Sequence, residues 1–254
     1  MTRILALMLS IAATLLAAPA DATEIKVISA GAVRSLVAGM IEDYSNQTGH
    51  KFDFTVGTTG QLRTIIASGQ PADLIIASGP LMEELEKTGK MTAGSRADLG
   101  RMGIGVVIRE GAPAPNVSTP DAFKQTLIDA RSVSYTAPSE GGTSGIHVMD
   151  LLKRFGIVEL VEKKAVYANG GREVAQKVAD GQAEIGITLI SEILPVKGAK
   201  LTAPLPEPLQ LYTVYAAAIP AASKEPNAAR AFIAHLTSAA LAPRWKAAGF
   251  EPPK

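Results

Sequence analysis

Tyr135-Thr-Ala-Pro-Ser-Glu-Gly-Gly-Thr-Ser-Gly-Ile-His-Val-Met-Asp-Leu-Leu152 is the stretch around which the chain is organised. Val133 to Thr136 reads as a short strand, and Pro138, Ser139, Gly141, Gly142, Thr143, Ser144 and Gly145 read as a loop. An amphipathic helix follows, with Ile146, Met149 and Leu152 expected on its apolar face. Small residues and hydroxyls leave the first backbone N–H groups of such a helix uncovered. Together with the positive end of the helix dipole, those donors suit an anion or a carboxylate. An ordinary helix cap would need only one hydroxyl, so the ligand reading depends on whether the pattern recurs.

It does recur. Glu24 to Ser29 reads as a strand followed by Ala30-Gly-Ala-Val33 and a helix from Arg34 to Thr48. Lys51 to Val56 leads into Gly57-Thr-Thr-Gly60 and a helix carrying Leu62, Ile65 and Ile66. Ala72 to Ala77 ends in Ser78-Gly-Pro80 and a helix from Leu81 to Lys87. Arg101 to Ile108 reads as one apolar strand crossing between two halves of the fold, and Leu209 to Ile219 as the returning strand. Between them, Ala165 to Tyr167 precedes Asn169-Gly-Gly-Arg172 and a helix. Ala183 to Thr188 is a buried strand with a helical or irregular segment, Leu189 to Leu194, after it. Alternation with short connections predicts an α/β fold with largely parallel sheets, whose ligands lie beyond the carboxyl ends of the strands.

Met1 to Ala22 is read as a secretory signal peptide. Arg3 precedes a continuous apolar run from Ile4 to Ala18, and Ala20-Asp-Ala22 supplies small residues for cleavage. The run is short for a membrane span, so the mature chain from Thr23 is expected in the periplasm with no membrane insertion. A net charge of +1 with scattered basic residues gives no field for nucleic acid. With 0 cysteines, neither disulfides nor thiolate chemistry is available. His50, His147 and His235 lack metal-ligand spacing, so neither a metal nor another cofactor is expected.

These residues together resemble the periplasmic molybdate-binding proteins, the substrate-binding components of ABC importers. The resemblance is carried by Ser29-Ala-Gly-Ala32, the Gly-Thr-Thr-Gly-Gln-Leu62 turn and Gly69-Gln-Pro-Ala-Asp-Leu-Ile-Ile-Ala77. Gly142-Thr-Ser-Gly-Ile146, Ala183-Glu-Ile-Gly-Ile187 and Lys246-Ala-Ala-Gly-Phe250 complete it. It implies a type II periplasmic binding protein fold: two α/β lobes, a cleft between them and two crossing strands. Lobe I would be 23–104 with 212–254, and lobe II 105–211, in a monomer that closes on its ligand.

The same resemblance places Gly31, Ala32, Thr58, Thr59, Thr143, Ser144, Gly171 and Leu189 at the ligand. Two departures stand out. The serine that ends the first strand in the oxyanion-binding members is matched here by Ala32, and the tyrosine after the late Gly-Ile strand by Leu189. Arg34 and Arg172 instead stand at helix starts facing the expected cleft, and a guanidinium fork matches a planar carboxylate. Arg63 is expected in solvent, and Asp73 in a structural hydrogen bond near a strand start.

The leading expectation is a periplasmic receptor that hands a small anion, a carboxylate, to an ABC importer permease. A molybdate- or tungstate-binding protein is one alternative, and a sensor subunit presenting its closed form to a membrane kinase is another. The resemblance also includes an aconitate isomerase, which would need arginine clamps and one base but no cofactor. Glu140 and His147 flank the opening loop and are the residues read as that base.

Overall fold

The computed structural model describes residues 22–253. The signal-peptide reading of Met1 to Ala22 therefore falls, apart from Ala22, outside the described residues. From the start of the described chain, strands and helices alternate: β1 (Glu24–Ala30), α1 (Arg34–Thr48), β2 (Lys51–Gly57), α2 (Thr59–Ala67), β3 (Leu74–Ser78), α3 (Gly79–Lys87) and β4 (Ala97–Met102). A second series runs β5 (Ile104–Arg109), α4 (Pro120–Asp129), β6 (Val133–Thr136), α5 (Thr143–Phe155), α6 (Val158–Glu162) and β7 (Ala165–Ala168). It continues with α7 (Gly171–Ala179), β8 (Ile185–Leu189), α8 (Ile190–Ile193) and β9 (Ala199–Pro204). Then β10 (Thr213–Ala218), α9 (Pro226–Leu236) and α10 (Ala242–Ala247) follow.

Two mixed five-stranded sheets result, ordered β2-β1-β3-β10-β4 and β7-β6-β8-β5-β9. In each, the βα units give a parallel trio, β2-β1-β3 or β7-β6-β8. Next to each trio lies one antiparallel strand that follows a crossing, β10 beside β3 and β5 beside β8. The parallel strands β3 and β8 are buried along their whole length, as sheets covered on both faces require. Asp73 anchors the first sheet. Its carboxylate accepts from Lys26 N at 3.0 Å, Lys224 N at 2.9 Å, Glu225 N at 3.1 Å and Ser223 Oγ at 3.0 Å.

The crossings are not the continuous strands read from sequence. Arg101 to Ile108 is interrupted at Gly103, so β4 and β5 are separate strands in different sheets. The return begins with a turn of 3-10 helix over Glu207–Leu209, and strand structure starts only at Thr213. Gln210 staples the two crossings, accepting from Ile104 N at 2.8 Å and donating to Ile104 O at 2.9 Å.

The apolar face of α5 also differs from expectation. Val148, Leu151 and Leu152 are buried, whereas Ile146 is 45% exposed. The helix starts at Thr143, and Gly145 packs its first turn against β6 so closely that a Cβ there would lie 2.1 Å from Thr136 O. That approach fixes which side of the helix faces the sheet.

Candidate functional site

The ends of β1, β2, β6 and β8, with the starts of the helices after them, enclose a cavity of about 450 Å³. That volume lies within the roughly 300–1,000 Å³ usual for sites that take small organic molecules. Gly31, Ala32 and Arg34 line it from β1 and α1, Thr58 and Thr59 from α2, Thr143 and Ser144 from α5, Gly171 and Arg172 from α7, and Leu189 from the end of β8. The structure thus brings all ten of these residues to one cavity.

The local reasons differ from residue to residue. Gly142 precedes α5 and Gly170 precedes α7, and neither cap residue makes a side-chain cap bond, so the α5 start is left open and the α7 start is accessible to a side chain from another element. Thr58 is different. Its hydroxyl accepts from Gln61 N at 3.2 Å in a capping box and donates to Glu140 O. Thr59 pairs with Ser78 at 3.3 Å. Thr58 therefore borders the cavity with its hydroxyl proton already used. Ala32 and Leu189 are buried, apolar parts of the wall.

Glu140 and His147, read from sequence as acid/base groups, do not line the cavity. The Glu140 carboxylate accepts from Gln61 Nε2 at 2.8 Å. The His147 ring bonds through Nε2 to Leu209 O at 2.7 Å, near the second crossing. In the second case His147 lies one turn along α5 from the open helix start, and its bond to Leu209 O holds the ring toward the second crossing instead of the cavity.

A different carboxyl group faces the cavity. Glu192, in the single-turn helix α8, is buried, lines the wall, and bonds to Thr188 Oγ1 at 3.1 Å. Burial pushes its pKa up to about 7, although Thr188 and the N–H groups of Arg172 and Gly171 draw it back down. Tyr215, fully buried, is held protonated by burial and by the charge of Glu192. Glu173 also lines the cavity but has the opposite environment. Hydrogen bonds from Asn169 N at 2.9 Å and a 3.0 Å ion pair with Lys177 keep it ionised below the usual carboxylate range. Two carboxyl groups on one wall are thus pushed in opposite directions, the pattern by which acid and base roles separate.

Contacts between the two halves of the fold close the cavity. Gly60 N donates to Gly141 O at 3.2 Å, and Arg172 Nη1 donates to Ser35 Oγ at 3.0 Å. With Thr58–Glu140 and Gln61–Glu140, these bonds join α1 and α2 to the loop before α5 and to α7. Among the described residues, no helix is long and apolar enough to cross a membrane.

Residues 25–251 match the model of a family described as bacterial extracellular solute-binding protein. An aconitate isomerase from Pseudomonas sp is 32% identical over 251 residues, covering 96% of this chain and 94% of that protein. The molybdate-binding protein ModA of Azotobacter vinelandii is 28% identical over 198 residues, covering 77% of this chain and 75% of that one. Among solved structures, the periplasmic molybdate-binding protein of Azotobacter vinelandii superposes with a TM-score of 0.75 at 19% identity, over 91% of this chain and 100% of that one. The substrate-binding domain of a putative molybdenum ABC transporter from Clostridium difficile gives 0.67 at 21%, over 92% and 100%. These likenesses agree with the two-sheet architecture.

Proposed function

This chain belongs to the bacterial extracellular solute-binding protein family, and from that premise we propose that its cavity takes a small organic polycarboxylate rather than a tetrahedral oxyanion. The observation that carries this reading is the Glu192 carboxyl group at the start of α7. The N–H groups there would otherwise be free to hold an oxyanion. Glu192 already accepts from the Gly171 and Arg172 N–H groups, so the α7 start cannot give those donors to an oxyanion. Arg34, from α1 in one half, and Arg172, from α7 in the other, line the same cavity and supply positive charge in a planar geometry suited to carboxylates. Ala32 and Leu189 offer apolar surface to a carbon skeleton. In this reading the two lobes, drawn at 23–104 with 212–254 and at 105–211, close over the acid in the periplasm and present it to an importer permease.

A second reading has the bound acid converted as well as captured. The similarity to an aconitate isomerase along 96% of the chain favours it. A thermal-shift panel on ligand-free protein tests the ligand class. Cis- and trans-aconitate, citrate and malate are compared with molybdate and sulfate. A true ligand at about 100 times its dissociation constant adds about 2.7 kcal/mol of stability. Shifts confined to molybdate or sulfate would remove the proposal.

A further inference from the structure

We infer that Glu192 is a catalytic base, and that the cavity moves a proton between two carbons of an unsaturated tricarboxylate. The inference rests on the carboxylate reading above, takes up its second form in which the acid is converted, and adds the residue that does it. Three structural facts carry it. Glu192 reaches the cavity from a buried position, with one oxygen bonded to Thr188 Oγ1 at 3.1 Å. It has no ion-pair partner among the described residues, whereas Glu173 on the same wall is committed to Lys177. Finally, Gly31 and Gly171 give it room: a Cβ on Gly31 would lie 3.1 Å from Glu192 Oε1, and one on Gly171 would lie 1.8 Å from Oε2.

The proposed step balances without a cofactor. The Glu192 carboxylate removes one proton from the methylene carbon next to the double bond, so that a C–H bond breaks and an O–H bond forms. The electron pair spreads over the three-carbon allylic unit and its carboxylates, where Arg34 and Arg172 offset the added charge. Glu192 then returns the proton to the far carbon of that unit. The double bond moves one position, nothing is oxidised or reduced, and the base is regenerated.

Such a base works best with a pKa close to the working pH, and burial places that of Glu192 at about 7. The charged or titratable groups around it are Arg34, Arg172 and Glu173 on the cavity wall, and the phenol of Tyr215 on the first sheet. Glu173 stays ionised and Tyr215 stays protonated across neutral pH. Neither supplies a competing titration there.

The test uses trans-aconitate in deuterated water, followed by NMR, with binding measured separately by calorimetry. The wild type should incorporate solvent deuterium and form the cis isomer. Glu192→Gln should bind trans-aconitate within about tenfold of wild type while exchange falls by about 10²–10⁴-fold, the range general-base catalysis supplies. In the wild type, kcat/KM should rise with pH and level off above about 7, a limb that Glu192→Gln lacks. If the variant folds poorly, the wild-type profile still decides. Rates independent of pH through neutrality would overturn the assignment, as would exchange in Glu192→Gln within tenfold of wild type. A wild type that binds trans-aconitate without exchange would overturn the activity and leave the carboxylate reading standing. No binding of either isomer would overturn both.

Discussion

Glu192 can lie against the start of α7 only because residue 171 is glycine, since a Cβ there would lie 1.8 Å from Glu192 Oε2 and 2.1 Å from Thr188 Oγ1. Gly171 is buried, so the conflict cannot be relieved by turning into solvent. Gly171→Ala should push the carboxyl group out of its place. Overpacking of this kind costs about 1–3 kcal/mol. Denaturant unfolding of the ligand-free variant should show that loss, and calorimetry should show weaker ligand binding. Unchanged stability and affinity would mean that the glycine is not there for Glu192.

Gly60 and Gly141 meet backbone to backbone where the two halves of the fold touch. A Cβ on Gly60 would lie 2.7 Å from Glu140 O, and one on Gly141 would lie 2.7 Å from Gly60 Cα. Because this contact joins the halves and neither core depends on it, Gly60→Ala should hinder closure more than folding. Solution scattering should show that wild type compacts with saturating ligand while Gly60→Ala does not, with its melting temperature nearly unchanged. Equal compaction would contradict the closure account.

Much of this arrangement is legible in the sequence. The βα units announce themselves as apolar runs that end in small-residue loops, which is why all the predicted wall residues converge. Glu192 escapes a sequence reading because Leu189 to Leu194, helical or irregular after the buried strand, is too short for helical periodicity to show which way its residues face. The available signal is a single acid among the apolar residues of that segment, directly after a buried strand end. Flanking the open loop points to Glu140 and His147, but a neighbour in sequence need not reach the cavity. The break at Gly103 was hidden for a related reason: Met102 and Ile104 are both buried, so apolar character continues while the strand passes from one sheet to the other.

The two arginines Arg172 and Arg63 should behave differently. Arg172 borders the cavity and bonds across the closure to Ser35, so Arg172→Ala should lower carboxylate affinity by at least tenfold. That is the effect of losing one charge-assisted hydrogen bond of about 1.5–3 kcal/mol. Arg63 pairs with Glu84 at 2.9 Å with both side chains about half exposed, and such pairs contribute about 0–1 kcal/mol. Arg63→Ala should leave binding unchanged. Calorimetry on both variants checks the contrast, and equal losses would show that the effect is general charge rather than contact.

Burial raises the Glu192 carboxyl group from 4.5 to about 7, so the folded chain holds this proton more tightly than the unfolded one. Its contribution to stability is complete below the unfolded value and is lost as pH rises through the folded value. The ligand-free protein should therefore lose stability between about pH 4.5 and about pH 7, by roughly 3 kcal/mol at most from this group. Glu192→Gln should remove that part of the slope. Urea midpoints measured across the window for both proteins check the prediction, and parallel slopes would refute it.

The central claim, that this cavity is built for a carboxylate on a carbon skeleton, is tested most directly by titration calorimetry. Ligand-free protein is titrated with cis-aconitate, trans-aconitate and molybdate under one set of conditions. The account predicts heat and saturable binding with at least one of the two acids, and none with molybdate at the same concentrations. Submicromolar binding of molybdate with no response to either acid would contradict it.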